Sequence, residues 1–360
     1  MRHKILFADQ LRSLAIISVL ISHYFGIFWF DPALNRYINA SEKLDIIAPQ
    51  IIESINYIFI PNFAWGPFGV DIFFLISGFV IPLSLENTTR RDFVIKRFFR
   101  IYPTYFIGFS FIILMVALSS LFFKNPFPYS LYEIIIHSFV GLRDILDTKN
   151  IDLVIWTLEL ELKFYLLCLI LFPLFQKKST IIFIVPFILF IILLTINLIY
   201  SWNTSYPIPL LIYMFIGTVF YYNLKNKISI FYMMSLILSL LTLYIYIFYL
   251  LALPIIGFEY VKIISVSGIY ALMIFYLSYI FRDKFRYNSI IAFISSISYP
   301  FYIIHSISGY IIIFILVKQG INPIIAITIA IIFLSSIAYL IHKFIEEPSI
   351  RFAKKLVYKI

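Results

Sequence analysis

Apolar residues in this chain neither alternate with polar ones nor form a single helical stripe; they run on. Ten stretches, near 12–30, 66–85, 102–123, 154–175, 180–200, 207–223, 229–250, 261–281, 291–317 and 323–345, are predominantly apolar. Crossing hydrocarbon as an α-helix takes about 20 such residues. Hydrocarbon admits only helices or closed barrels, because neither leaves a backbone N–H or C=O unpaired. Barrel strands alternate polar and apolar residues, and these runs do not. The pattern predicts an all-α chain, a polytopic transmembrane helical bundle of about ten spans. The stretch 131–142 is too short to cross and carries Glu133 and His137, so it reads as part of an interfacial loop.

Composition narrows the class further. Hydrophobic residues make up 62% and charged residues 13%, with a mean hydropathy of +0.99. A soluble domain is about 45–50% apolar and about 25% charged. A water-soluble enzyme, a disordered chain and a secreted disulfide scaffold are excluded. Cys168 is the single cysteine, which removes an intrachain disulfide and any CxxC metal or redox site.

The net charge of +10 changes the picture through its distribution. With the N-terminus placed inside and the spans alternating, 20 of the 28 basic residues fall in inside segments. The densest run holds Arg90, Arg91, Lys96, Arg97 and Arg100. That bias is the positive-inside rule, and an even number of spans puts both termini in the cytosol. Trp29, Trp65, Trp156 and Trp202 fall at outer ends, where an aromatic belt belongs. The first apolar run contains His23 and no small-residue cleavage site follows it, so it is read as a retained span. No repeat, Gly/Ser linker or soluble appendage interrupts the sequence. Residues 1–360 therefore read as one membrane domain whose chemistry has to occur inside the bundle.

Each charge at mid-helix costs about 2.5–3.5 kcal/mol on insertion scales, so each one needs a reason. In residues 153–175, fifteen Leu, Ile, Val and Phe supply roughly 4–9 kcal/mol of insertion. Glu159, Glu161 and Lys163 together cost about 8–10 kcal/mol. Glu159 and Lys163 are spaced to pair at i,i+4. Glu161 points elsewhere and needs a partner or a proton; its face carries Tyr165 and Cys168. His23 follows Arg12 by eleven residues, about 16 Å along a helix and about 20° out of register. That places a rim cation in line with a buried imidazole, the commonest general base at neutral pH. Asp71 lies in GVDIFFLISGF (69–79), whose glycines allow a helix or ligand to approach closely. His305 shares a face with Tyr302 and Ser298. Arg97 and Arg100 are i,i+3 neighbours, with Pro103 placed for the first turn of the next span. Guanidinium forks of this kind bind phosphate or anionic lipid.

Taken in order, these pieces resemble the acyltransferase 3 family of integral-membrane O-acyltransferases over essentially the whole chain. Arg12 and His23 fit its R-x10-H element, and 69–79 is similar to its second-helix signature. Arg97, Arg100 and Pro103 fit RxxRIxPxY. Trp156, Glu161, Phe164 and Tyr165 fit WSLxxExxFY, with Thr157 in place of the usual Ser. Tyr299, Tyr302 and His305 fit SYxxYLxH, and Glu346 or Glu347 with Pro348 fits a terminal E-P. The resemblance implies transfer of an acyl group, commonly acetyl, from cytosolic acyl-CoA to a hydroxyl of a cell-surface glycan or its lipid-linked precursor. On that reading Arg97, Arg100 and Arg12 hold the CoA phosphates and His23 is the general base. Asp71 or Glu161 orients the imidazole, and His305 donates to the oxyanion or the sugar. No metal is expected. No SGNH-type esterase domain is seen, so either a separate extracytoplasmic partner completes the transfer or none is required. The Ile, Phe and Asn richness suggests an AT-biased bacterium and its cytoplasmic (inner) membrane. The rival reading is a transporter of lipid-linked oligosaccharide or a small anion, because buried carboxylates and histidines also suit a relay. No two-fold repeat of the kind many transporters carry is visible.

Overall fold

The computed structural model describes residues 5–40, 47–56, 60–146, 148, 150–200 and 207–358. Among the described residues the regular structure is helical throughout, with no strand. In chain order the main helices are α1 (Leu6–Phe30), α2 (Trp65–Leu85), α3 (Arg90–Phe123), α4 (Leu131–His137), α5 (Ile155–Ile170) and α6 (Thr180–Leu198). Then follow α7 (Leu210–Leu224), α8 (Ile230–Ile256), α9 (Phe258–Ile280), α10 (Ser289–Lys318) and α11 (Pro323–Ile341). A π-turn at His342–Glu346 leads from α11 into α12 (Glu347–Tyr358).

Eight of these segments are long and apolar enough to cross a membrane. The other two expected spans, α5 and α7, have 16 and 15 residues, only about 22–24 Å of helix against a hydrocarbon core of about 30 Å. The apolar run 154–175 is divided because Pro173 starts a new short helix, Phe172–Gln176, and proline withdraws a helical N–H. Helix α7 is short for a different reason. Every residue from Leu210 to Tyr222 is buried, so protein and not lipid surrounds it, and its length need not match a bilayer.

Two further expectations change. Pro103 does not open a new span: α3 begins at Arg90 and runs unbroken through the basic stretch, with Pro103 inside the helix. Within 131–142, residues Leu131–His137 form α4, started by a capping box in which Ser130 and Glu133 each satisfy the other's backbone N–H. Trp29, Trp65 and Trp156 sit near helix ends; Trp202 lies outside the described residues.

The chain divides into two compact units. The first comprises residues 1–15, 60–93 and 160–287, and the second 16–59, 94–159 and 288–360. In the first unit α2 and α7 meet backbone to backbone. A Cβ on Gly78 would overlap the carbonyl of Met214, and one on Gly217 would overlap that of Leu75. Thr218 Oγ1 donates to the Gly78 carbonyl at 3.0 Å. Gly78 thus permits the close approach its sequence context suggested. Phe7, Phe79, Phe220, Phe275 and Tyr279 pack edge to face beside it.

The second unit is organised on α10, where every residue from 300 to 311 is buried. The side chain of Ile303 fills the space that a Cβ on Gly108 of α3 would occupy. Tyr299 donates to the Ile101 carbonyl of the same helix at 3.0 Å. This packing holds the face of α10 that bears the candidate chemistry.

Candidate functional site

Helix α1 opens into a π-turn at Ser22–Ile27 that contains His23. Single π-turns inside α-helices recur at functional sites, because the extra residue re-aims the side chains that follow. His23 is 8% exposed, and its Nδ1 lies 2.5 Å from the Tyr310 hydroxyl. The next residue, Tyr24, is fully buried and donates to the backbone carbonyl of His305 at 2.8 Å. Its ring occupies the place a side chain would take at position 309, so Gly309 is the notch that admits it.

His305 is fully buried on α10. Its Nδ1 lies 2.8 Å from the Tyr302 carbonyl. A carbonyl only accepts, so the proton is on Nδ1 and the neutral ring keeps its lone pair on Nε2. That nitrogen is buried without a partner. The His23 and His305 rings meet edge to face with centroids 4.6 Å apart. The structure therefore brings together two histidines 282 positions apart in the sequence, both singled out there. Tyr310 stacks on His23 and Phe301 on His305.

The segment 150–159 runs beside the same turn of α10. Thr157 Oγ1 and the Tyr302 hydroxyl are 2.9 Å apart, and Ser306 donates to Asp152 Oδ1 at 3.4 Å. Asp152 lies outside the spanning helices, and burial pushes its carboxyl up to about 7. Its backbone N–H and that of Ile151 both donate to His137 Nε2, at 3.3 and 3.1 Å. Tyr105 takes the other nitrogen at 3.0 Å. Burial lowers His137 to about 4, so it is a neutral structural imidazole satisfied at both nitrogens. Glu159 finds a counter-charge in Arg143 of the short helix Leu142–Ile145, whose Nε and Nη2 grip both carboxylate oxygens.

The other residues singled out from sequence lie as follows. Asp71, in the first unit, is 2% exposed, and its Oδ2 is buried without a hydrogen-bond partner. The absent side chain of Gly268 leaves room beside that oxygen. Glu161, also in the first unit, accepts from the Tyr165 hydroxyl at 2.5 Å and from Ser77 at 3.4 Å. The i+4 neighbour read from its helical face is thus a direct partner. Arg12 pairs with Asp9 at 3.2 Å. Arg97 and Arg100, in the second unit, are half-buried on α3. Among the described residues, no three His, Cys, Asp or Glu side chains gather as metal ligands.

Sequence reasoning missed Tyr24, Tyr310, Gly309, Asp152 and the Arg143–Glu159 pair. Tyr24 and Gly309 had a faint signal, since one adjoins His23 and the other follows His305 by four residues, on the same helical face. Tyr310, Asp152 and Arg143 had none, because their partners are distant in the chain.

A family model described as an acyltransferase domain, acyltransferase 3, matches residues 5–343. An uncharacterized protein of Haemophilus influenzae is 30% identical over an alignment covering 48% of this chain and 82% of that protein. No solved structure matches the chain significantly.

Proposed function

Because this multi-pass membrane protein belongs to the acyltransferase 3 family, we propose that it transfers acetyl from cytosolic acetyl-CoA to a hydroxyl of a cell-surface glycan or its lipid-linked precursor, in a bacterial cytoplasmic membrane. The observation that carries this reading is the contact between His23 and His305, centroids 4.6 Å apart, beside a π-turn and inside a family match that covers both. With Nδ1–H of His23 donating to the Tyr310 oxygen, its Nε2 keeps a lone pair for the acceptor hydroxyl. The hydroxyl oxygen attacks the thioester carbonyl as its proton passes to His23. The C–S bond then breaks, and the CoA thiolate leaves with that proton. His305 faces the same exchange. As imidazolium it donates to the oxyanion or the sugar, and as neutral ring it accepts from a second hydroxyl. Asp71 or Glu161 is the carboxylate we assign to orienting the imidazole and stabilising the imidazolium. Arg97, Arg100 and Arg12 supply the cations for the CoA phosphates.

The test is a comparison of His23→Ala and His23→Gln with the unaltered protein. Labelled acetyl-CoA is given to membranes, and label in surface glycan is measured beside the amount of inserted protein. We expect both variants to lose acylation by about 100-fold or more at equal membrane level. Normal labelling from inserted His23→Ala would remove the base from the mechanism. Glycan that carries no donor label in the unaltered protein would favour a transporter.

A further inference from the structure

The second unit holds a polar group that the chemistry above leaves unused. Asp152 is fully buried, yet only one of its oxygens is satisfied. Oδ1 accepts from the Val154 N–H at 3.1 Å and from the Ser306 hydroxyl at 3.4 Å. Oδ2 is buried without a partner. The backbone here is firmly set, because His137 takes the Asp152 and Ile151 N–H groups. Thr157 ties the same segment to Tyr302, one turn before Ser306. Ser306 in turn follows His305, whose Nε2 is also buried without a partner. Residues 152–157 are thus fastened along the 302–306 turn of α10. With Asp152 ionised, two acceptors without donors, its carboxylate oxygen and the His305 imidazole nitrogen, border that turn. A buried acceptor left unpaired is costly, and a ligand bringing two hydroxyl donors would satisfy both.

We infer that Asp152 Oδ2 anchors a second hydroxyl of the saccharide acceptor, adjacent to the hydroxyl presented to the histidine pair. This rests on the acyltransferase reading above and adds to it a class of acceptor, a sugar with two neighbouring free hydroxyls. A site built to bind a hydroxyl rejects the analogue that lacks it, because the site's own group is then left unpaired. Asp152 is a binding residue on this account, distinct from the base.

Asp152→Asn is the discriminating variant. Its amide oxygen keeps both contacts of Oδ1, so only the unpartnered position changes, from an acceptor to an NH2 donor. The full chain in nanodiscs is given labelled acetyl-CoA and methyl glycosides of glucose, mannose and galactose, alongside their mono-deoxy analogues. We expect the unaltered protein to discriminate against one deoxy analogue by about tenfold or more. In Asp152→Asn the acceptor KM should rise by a similar factor, the acetyl-CoA KM should stay put, and the preference for the diol over its deoxy analogue should vanish. If the variant keeps that preference, the inference is overturned. An equal loss on both probes with a lowered unfolding temperature would reduce Asp152 to a structural residue and overturn it as well. If the unaltered protein acetylates neither these probes nor membrane glycan, the acyltransferase reading itself fails, and the anchor with it.

Discussion

His23 and His305 pack edge to face with ring centroids 4.6 Å apart, each held at Nδ1 by α10, through the Tyr310 hydroxyl and the Tyr302 carbonyl. The two anchors differ in kind. A carbonyl fixes a tautomer, whereas a phenol can donate or accept. In its neutral form His305 therefore keeps its lone pair on Nε2, while His23 can exchange its proton position with Tyr310. A residue that has to take up and release a proton each turnover benefits from the second arrangement.

Tyr310→Phe removes that partner and leaves the ring in place. We expect kcat for acyl transfer to fall about five- to tenfold, the value of one neutral hydrogen bond. The acetyl-CoA KM should not move. Steady-state kinetics on membranes with matched protein levels checks this, and an unchanged kcat would leave Tyr310 as packing only.

Gly309→Ala places a methyl where the Tyr24 ring sits. Overpacking a filled core costs about 1–3 kcal/mol, and Tyr24 also holds the His305 carbonyl. The variant should unfold at a lower temperature and lose activity in parallel. A second change, Tyr24→Ala, should restore part of the stability by clearing the space.

Arg143 and Glu159 form a pair that is largely buried, the side chains 15% and 2% exposed. Removing Arg143 alone strands a buried carboxylate, a loss of about 3–5 kcal/mol for pairs of this kind. Arg143→Met with Glu159→Leu should cost much less than Arg143→Met alone. Thermal unfolding of the three variants in nanodiscs measures the difference.

The pH dependence of stability carries two opposed contributions from one neighbourhood. His137 is held near 4 in the folded protein by burial, below about 6.5 in the unfolded chain. Between those values the unfolded state binds more protons, so stability rises with pH. Asp152 is raised by burial to about 7, above about 3.9 when unfolded. Between those values the folded state binds more protons, so stability falls as pH rises. Asp152→Asn removes the falling contribution. Its unfolding temperature should climb more steeply from about pH 4 to 6.5 than that of the unaltered protein; a parallel profile would contradict the assignment.

Arg97→Ala and Arg100→Ala should weaken acetyl-CoA binding by about tenfold each, the value of a charge-assisted hydrogen bond, and leave acceptor KM unchanged. Equilibrium binding of acetyl-CoA to the purified protein reads this directly. Unaltered affinity would return both arginines to membrane topology.

Local pattern made the class, the helices and the two histidines legible, because insertion into hydrocarbon depends on runs of about 20 residues and on each charge within them. The i+4 partner Tyr165 of Glu161 was readable for the same reason, since helix geometry alone sets it. Burial on all sides was not readable. Helix α7 is as apolar as a lipid-facing span, and only its enclosure by protein explains its 15 residues. Nor was partner choice across long separations. Spacing offered Glu159 only Lys163 as a counter-charge, and it gave no sign of Arg143, sixteen residues earlier, which grips both carboxylate oxygens. Tyr310 reaches His23 across 287 residues of chain and Ser306 reaches Asp152 across 154. A sequence states which groups must be satisfied once they leave water. Which groups satisfy them is decided when residues 16–30 of α1, the 150–159 segment and α10 are packed into one unit, because hydrogen bonds form at about 3 Å and helical periodicity reaches no further than the next turn.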